Sequence, residues 1–205
     1  MKTTNRKGIL FIISAPSGAG KTTICHKLIE TRPSLRISVS YTTRNPRPGE
    51  TDGVHYFFVK EDAFNEMVSR GEFAEWARVH ENLYGTSKAK IQEMVMQGTD
   101  VLLDIDVQGG KIIKEKIPDS VLIFVLPPGM KILEERLRGR MSDSEDVILK
   151  RIKRAKDEIR EYKHYDYVIV NNILEDAVHE IESIMLAERA KVSRTDHNWI
   201  RNNFL

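Results

Sequence analysis

Residues Ile9–Thr23 read ILFIISAPSGAGKTT. The run Ile9-Leu10-Phe11-Ile12-Ile13 is too short to cross a membrane and suits a strand buried on both faces, as in a parallel sheet. It breaks into Ser14-Ala15-Pro16-Ser17-Gly18-Ala19-Gly20, all small residues or turn formers. Lys21-Thr22-Thr23 then opens a helical pattern with Ile24, Leu28 and Ile29 on one face. Strand, glycine loop and helix in that order are the context of a phosphate-binding P-loop. Main-chain N–H groups of such a loop and of the helix N-terminus point at a polyphosphate. Lys21 is expected to reach the outer phosphates, and the Thr22 hydroxyl to hold Mg²⁺. The usual loop begins with glycine, and here that site is Ala15. The ending Gly20-Lys21-Thr22 is intact.

Working outward, 205 residues allow one substantial core and small inserted lobes. Hydrophobic residues at 40% and charged residues at 30% read as a soluble globular chain. A net charge of +2 demands neither a nucleic-acid nor a membrane partner. No apolar stretch reaches the roughly 18 residues of a membrane helix, and polar Met1–Lys7 shows no signal peptide. The single cysteine, Cys25, excludes an intrachain disulfide and points to the cytoplasm. The six histidines have no ligand spacing, so a zinc site is not expected. A homo-oligomer is compatible with the sequence.

Beyond the first helix, Leu35–Ser40 alternates as a strand, and Ser40–Glu50, with two prolines and a glycine, reads as a loop. That loop presents Arg44 and Arg47, whose guanidinium forks suit phosphate oxygens. His55–Val59 and Phe73–Val79 read as strands, separated by a helix with Asp62 as N-cap. Asn82–Thr86 reads as a turn, and Ser87 as the cap of the next helix. Short strands around one helix, from Ser40 to Lys90, predict a small mixed lobe inserted into the parallel sheet. The sheet pattern resumes at Val101–Asp106, an apolar strand ending in Asp104 and Asp106 at the ligand edge. Val121–Leu126 and Tyr167–Val170 are further strands. Between them lie two basic helices, Met130–Arg138 and a second one behind the capping box Ser142-x-x-Glu145. A helix carrying Ala177, Ile181 and Ile184 follows, and then a polar, basic tail.

These residues carry a recognisable series. Ser14-Ala15-Pro16-Ser17-Gly18-Ala19-Gly20-Lys21-Thr22, Thr42-Thr43-Arg44-x-Pro46-Arg47-x-Gly49-Glu50, Tyr56-x-Phe58 and Glu75-Trp76-Ala77 resemble motifs of the guanylate kinase family. So do Tyr84-Gly85-Thr86, Leu103-Asp104-Ile105-Asp106-x-Gln108-Gly109, Leu137-x-Gly139-Arg140 and Val168-Ile169-Val170-Asn171. The likeness is in order and spans Gly8 to about Ala190. It implies an α/β fold with a P-loop NTPase-type parallel sheet flanked by helices, an inserted mixed α/β nucleotide-monophosphate lobe and a helical lid. By the same resemblance, 8–39, 91–128 and 145–190 form the core, 40–90 the GMP-binding lobe, 129–144 the lid and 191–205 a tail. Met141 stands where the family often has glycine.

The resemblance further implies ATP-dependent phosphorylation of GMP, and of dGMP, with Mg²⁺ as the companion of ATP. ATP would be held by Ala15, Pro16, Ser17, Gly18, Ala19, Gly20, Lys21, Thr22 and Thr23, with Asn171 near adenine. The GMP phosphate would be held by Arg44, Arg47, Tyr56 and Tyr84. Guanine offers two adjacent donors, which the Glu75 carboxylate can accept with help from Asp106, while Ser40 and Thr86 can donate to O6. Lys21, Arg44, Arg136, Arg140 and Arg151 would form the catalytic set, and Asp104 would orient the water shell of the metal. The alternatives are a non-catalytic guanylate-kinase-like binding domain and a P-loop kinase for another phosphate acceptor. Domains of the first kind tend to lose the loop lysine or the lid arginines, and both are present here.

Overall fold

The computed structural model describes residues 6–79, 81–139 and 144–205. In chain order, β1 (Leu10–Ser14) leads through the glycine loop into α1 (Lys21–Thr31) and β2 (Leu35–Ile37). Then come β3 (Tyr41–Thr42), β4 (Phe57–Phe58), α2 (Glu61–Ser69), β5 (Phe73–Val79) and β6 (Asn82–Ser87). The chain continues with α3 (Lys88–Met96), β7 (Asp100–Asp104), α4 (Val107–Lys116) and β8 (Val121–Leu126). It ends with α5 (Met130–Arg138), α6 (Glu145–Ile159), β9 (Tyr167–Val170), α7 (Leu174–Ala190) and α8 (His197–Phe204).

The larger sheet is parallel, in the order β2-β7-β1-β8-β9. β1 lies at its centre with all five residues buried, because helices cover both faces. Alternation sorts its side chains. Phe11 and Ile13 join Ile24 and Leu28 of α1 and Ala177, Ile181 and Met185 of α7. Leu10 and Ile12 join Ile91 of α3 and Ile113 of α4. Each such side chain contributes about 1.5–3 kcal/mol on leaving water, so the strand that launches the glycine loop is held on both sides.

The smaller sheet, β4-β3-β6-β5, is mixed: β3 is parallel to β4, and β6 is antiparallel to β3 and β5. Its core is Phe64 stacked on Phe73 at 4.5 Å, with Leu83. Gly85 of β6 lies against this stack; a Cβ there would sit 2.9 Å from the Phe73 ring. Two side-chain contacts are among the ties between the sheets. Lys116 of α4 donates to the Ala74 carbonyl of β5 at 2.7 Å. Lys90 of α3 sits 3.2 Å above the centre of the Phe57 ring.

Several local expectations change. The segment 82–86 is not a turn but most of β6, paired with β5 from Val79↔Asn82 outward. The arginine loop begins with the two-residue strand β3, and β2 and β4 are shorter than their apolar runs. Lys60, not Asp62, occupies the N-cap of α2, and Asp62 lies in its first turn. Ser144 occupies the N-cap of α6, whereas Ser142 lies outside the described residues. Ser87 does cap α3, accepting from Lys90 N–H at 3.4 Å. The tail forms α8, capped by Asp196 on Trp199 N–H at 3.0 Å. Among the described residues, no helix is long and apolar enough to cross a membrane.

Candidate active site

The loop after β1 is shaped by two left-handed glycines, Gly18 and Gly20, both at φ 92°. Gly20 is confined as well as left-handed: a Cβ there would sit 2.4 Å from the Asn171 amide nitrogen. Ala15, where a glycine is usual, is buried with Ala19 in the main core. Asn171, at the end of β9, is also buried; its amide donates to the Ala19 carbonyl at 2.7 Å. Arg136 of α5 donates to the Asn171 carbonyl at 3.2 Å and to the Ala19 carbonyl at 3.5 Å. Arg151 of α6 donates to the Ser17 hydroxyl at 2.7 Å. Both basic helices therefore bring an arginine to the loop. Arg140 and Met141 lie outside the described residues.

Lys21, at the first position of α1, is ion-paired with Asp104 and donates to the Ile105 carbonyl at 2.9 Å. Both groups stand at the carboxyl end of β7, the crevice side of a parallel sheet. Thr23 follows in the first turn of α1, and Pro16 accepts in the loop from Ala19 N–H at 3.1 Å.

Across the crevice, Arg44 donates to Glu50 at 2.8 Å and to the Asn45 carbonyl at 2.7 Å. Its guanidinium lies 5.5 Å from the Tyr56 ring centre, and Tyr56 meets Tyr84 edge-on at 5.9 Å. Glu50 also accepts from Arg47 N–H at 2.7 Å. These bonds, from Arg44 first and the Arg47 backbone second, hold the Glu50 carboxyl down at about 2. The same carboxylate raises the Arg44 pKa further.

Glu75 of β5 is 5% exposed and accepts from the Thr86 hydroxyl at 2.5 Å. Burial pushes its carboxyl up to about 7; the Thr86 bond opposes this and nearby Asp106 adds to it. Asp106 is the N-cap of α4 and accepts from Gly109 N–H at 2.9 Å. Gly109 is small for a reason: its Cβ would lie 3.0 Å from Glu75 Oε2.

A single cleft of about 960 Å³ gathers half of the expected residues. Ser17, Lys21, Thr22 and Asp104 line one end. Ser40, Arg44, Arg47, Tyr56, Glu75, Tyr84 and Asp106 line the rest. Thr86 touches it through Glu75, and Arg136, Arg151 and Asn171 lie behind the loop. Two contributors had no role assigned from sequence. Glu50 engages both loop arginines, and its signal was its place closing the Pro-Gly-Glu turn. Glu158 of α6 accepts from Ser17 N–H at 3.3 Å and from Arg154 at 2.8 Å, although its i,i+4 spacing from Arg154 reads as an ordinary solvated pair.

A glycine loop and lysine at the edge of a parallel sheet face a second lobe with an arginine pair and a buried carboxyl. That arrangement defines an α/β nucleotide kinase with a second, smaller mixed lobe. Residues 7–188 match the sequence pattern of the family described as guanylate kinase. The guanylate kinase of Geobacter metallireducens is 53% identical over 189 residues, covering 92% of this chain and 93% of that one. That of Escherichia coli K12 is 49% identical over 190 residues, 92% of each. A crystal structure of guanylate kinase from Anaplasma phagocytophilum superposes with a TM-score of 0.81 at 33% identity, covering 99% of this chain and 98% of that one. The chain belongs to the guanylate kinase family.

Proposed function

We propose that the protein transfers the γ-phosphoryl group of ATP to GMP, and to dGMP, giving ADP and the nucleoside diphosphate. The observation that carries this reading is the cleft itself: the loop lysine Lys21 and the buried carboxyl Glu75 line one continuous space. Glu75 can accept both guanine donors, N1–H and the exocyclic amine; adenine would set a lone pair against it. A site of buried polar groups rejects a ligand that leaves them unpaired. Ser40 and Thr86 would complete guanine recognition, with Asp106 beside them.

In this reading Arg44, Arg47, Tyr56 and Tyr84 hold the acceptor phosphate. Its oxygen is already anionic, so no general base is needed. Main-chain N–H groups of Gly18, Gly20 and the N-terminus of α1 hold the donor phosphates, and Lys21 exchanges Asp104 for phosphate oxygens. Arg136 and Arg151, with Arg140 of the lid, neutralise charge on the group in transfer. Mg²⁺ fits the donor set, since it prefers oxygen and keeps most of its waters. The Thr22 hydroxyl would hold it and Asp104 would orient its water shell; its chemistry is charge neutralisation on the phosphates. We assign 40–90 as the acceptor lobe, 129–144 as the lid and the flanking segments as the core. A single cysteine, Cys25, leaves no intrachain disulfide to form, which supports a cytoplasmic protein.

A coupled ADP-release assay with ATP and Mg²⁺ tests this, with GMP, dGMP, AMP and a sugar phosphate as acceptors. Turnover is expected with the two guanine nucleotides and not with the others. Folded protein that leaves GMP unphosphorylated would overturn the reading. Glu75→Gln should raise the KM for GMP and blunt selectivity over AMP; unchanged values would remove Glu75 from the acceptor site.

A further inference from the structure

Among the described residues, four lysine or arginine side chains line the cleft: Lys21, Arg44, Arg47 and Arg154. The proposed reaction uses the first three on phosphates and leaves Arg154 without a part. Arg154 stands on α6 three positions after Arg151 and four before Glu158, so the three side chains share one face of the helix. That face meets the glycine loop at Ser17. The Ser17 hydroxyl accepts from Arg151 at 2.7 Å, and the Ser17 N–H donates to Glu158 Oε2 at 3.3 Å. The other oxygen, Glu158 Oε1, accepts from Arg154 Nε at 2.8 Å. One carboxylate therefore mounts Arg154 on the loop that is expected to hold the donor phosphates.

This pair differs from a solvated i,i+4 bridge. Arg70–Glu66 and Arg138–Glu134 have the same spacing, and in both every side chain is at least 41% exposed. The Glu158 side chain is 11% exposed and that of Arg154 44%. The carboxylate is thus the fixed end, and the guanidinium is the accessible one. Its Nε bond leaves both terminal nitrogens without a partner among the described residues. Two cleft cations with proposed phosphate roles are held in the same way: Lys21 is paired with Asp104, and Arg44 with Glu50 at 2.8 Å. The planar fork of Arg154 suits phosphate oxygens, in charge-assisted bonds about twice as strong as neutral ones.

We propose that Arg154 binds the polyphosphate of the donor nucleotide through its terminal nitrogens, and that Glu158 is the positioning residue that fixes its Nε against Ser17. Arg136 and Arg151 lie behind the loop, whereas Arg154 lines the cleft itself. In the sequence Arg154 is hidden among Lys150, Arg151 and Lys153, a basic run that reads as a solvated helix face. The proposal rests on the reading of the glycine loop as the donor site, and not on which acceptor the cleft phosphorylates.

Calorimetric titration of the full chain with ATP and Mg²⁺, beside steady-state kinetics with ATP and GMP varied in turn, tests it. Arg154→Gln should weaken ATP binding about tenfold and leave the KM for GMP unchanged. Arg154→Lys restores the charge without the fork and should recover part of that loss; it carries the test if the glutamine variant fails to fold. Lys153→Gln removes the same charge from an exposed neighbour outside the cleft lining and should change neither constant. Glu158→Gln should weaken ATP binding severalfold, again without moving the KM for GMP. Combined with Arg154→Gln it should cost less than the sum of the two, because one side chain acts through the other. Unchanged ATP affinity in Arg154→Gln, an equal loss in Lys153→Gln, a loss shared by GMP, or full additivity of the pair would overturn the proposal alone. Unaltered protein that binds no ATP would overturn the donor-site reading and this proposal with it.

Discussion

At the scale of single residues, the proposed acceptor site turns on a carboxyl whose charge is not settled by ordinary acid strength. Glu75 is raised to about 7 chiefly because burial disfavours its charged form. Guanine offers it donors, so only the carboxylate binds well. The KM for GMP should therefore fall as pH rises through 7, by about tenfold between pH 6 and pH 8. The KM for ATP should show no such step. The acceptor phosphate titrates nearby, at about 6, so the control is Glu75→Gln: it keeps the phosphate's titration and should lose the step at 7. The same shift has a stability consequence of definite sign. Glu75 binds its proton more tightly folded than unfolded, so its contribution is fully present below the unfolded value of 4.5 and is lost as pH rises through 7. The pocket thus holds, at neutral pH, a group that ligand binding rather than folding favours as an anion.

At the scale of elements, two short motifs are packing solutions around that chemistry. Gly109, in the first turn of α4, leaves just enough space for Glu75 Oε2. Gly109→Ala should push the carboxylate aside and raise the KM for GMP about tenfold, with the KM for ATP unchanged; steady-state kinetics with each substrate varied would show it. Asn171 works on the other half. Its buried amide and Arg136 share the Ala19 carbonyl, fixing the glycine loop from behind. Asn171→Ala should cost about 1–3 kcal/mol of stability and raise the KM for ATP, read by thermal unfolding and by kinetics. These contacts mark what the sequence could and could not convey. The apolar run of β1, the glycine loop and the cap at Ser87 follow local rules and were legible. β6 was not, because Asn82-Leu83-Tyr84-Gly85-Thr86 has turn-forming composition and becomes a strand only by pairing with β5. Its glycine answers to the Phe73 ring, a neighbour twelve positions back in the chain. Asp106 was readable as an acid at a strand end, yet its bond to Gly109 N–H makes it a helix cap as well.

At the scale of the molecule, two sheets must present two phosphates to each other. On the proposed reading, donor binding falls to the parallel sheet and acceptor binding to the mixed one, so their connection is part of the machinery. Legibility follows the same division: motif residues pointed to both halves, while the ties between them involve side chains with no motif signature. Lys116 is such a tie. It lies at the end of α4, whose start carries Asp106 and Gly109, and its ammonium donates to the Ala74 carbonyl beside Glu75. Its charge also helps counter the rise in the Glu75 pKa, as the smallest of the four influences on that carboxyl. Lys116→Met keeps the aliphatic stem and removes both effects. On the proposed reading, the KM for GMP should rise severalfold, with the Glu75 pH step moving to higher pH. The KM for ATP should hold, because Lys21 and the glycine loop belong to the other sheet. A uniform loss of both affinities would instead mean that Lys116 acts through global stability, and a thermal melt run alongside the kinetics separates the two outcomes.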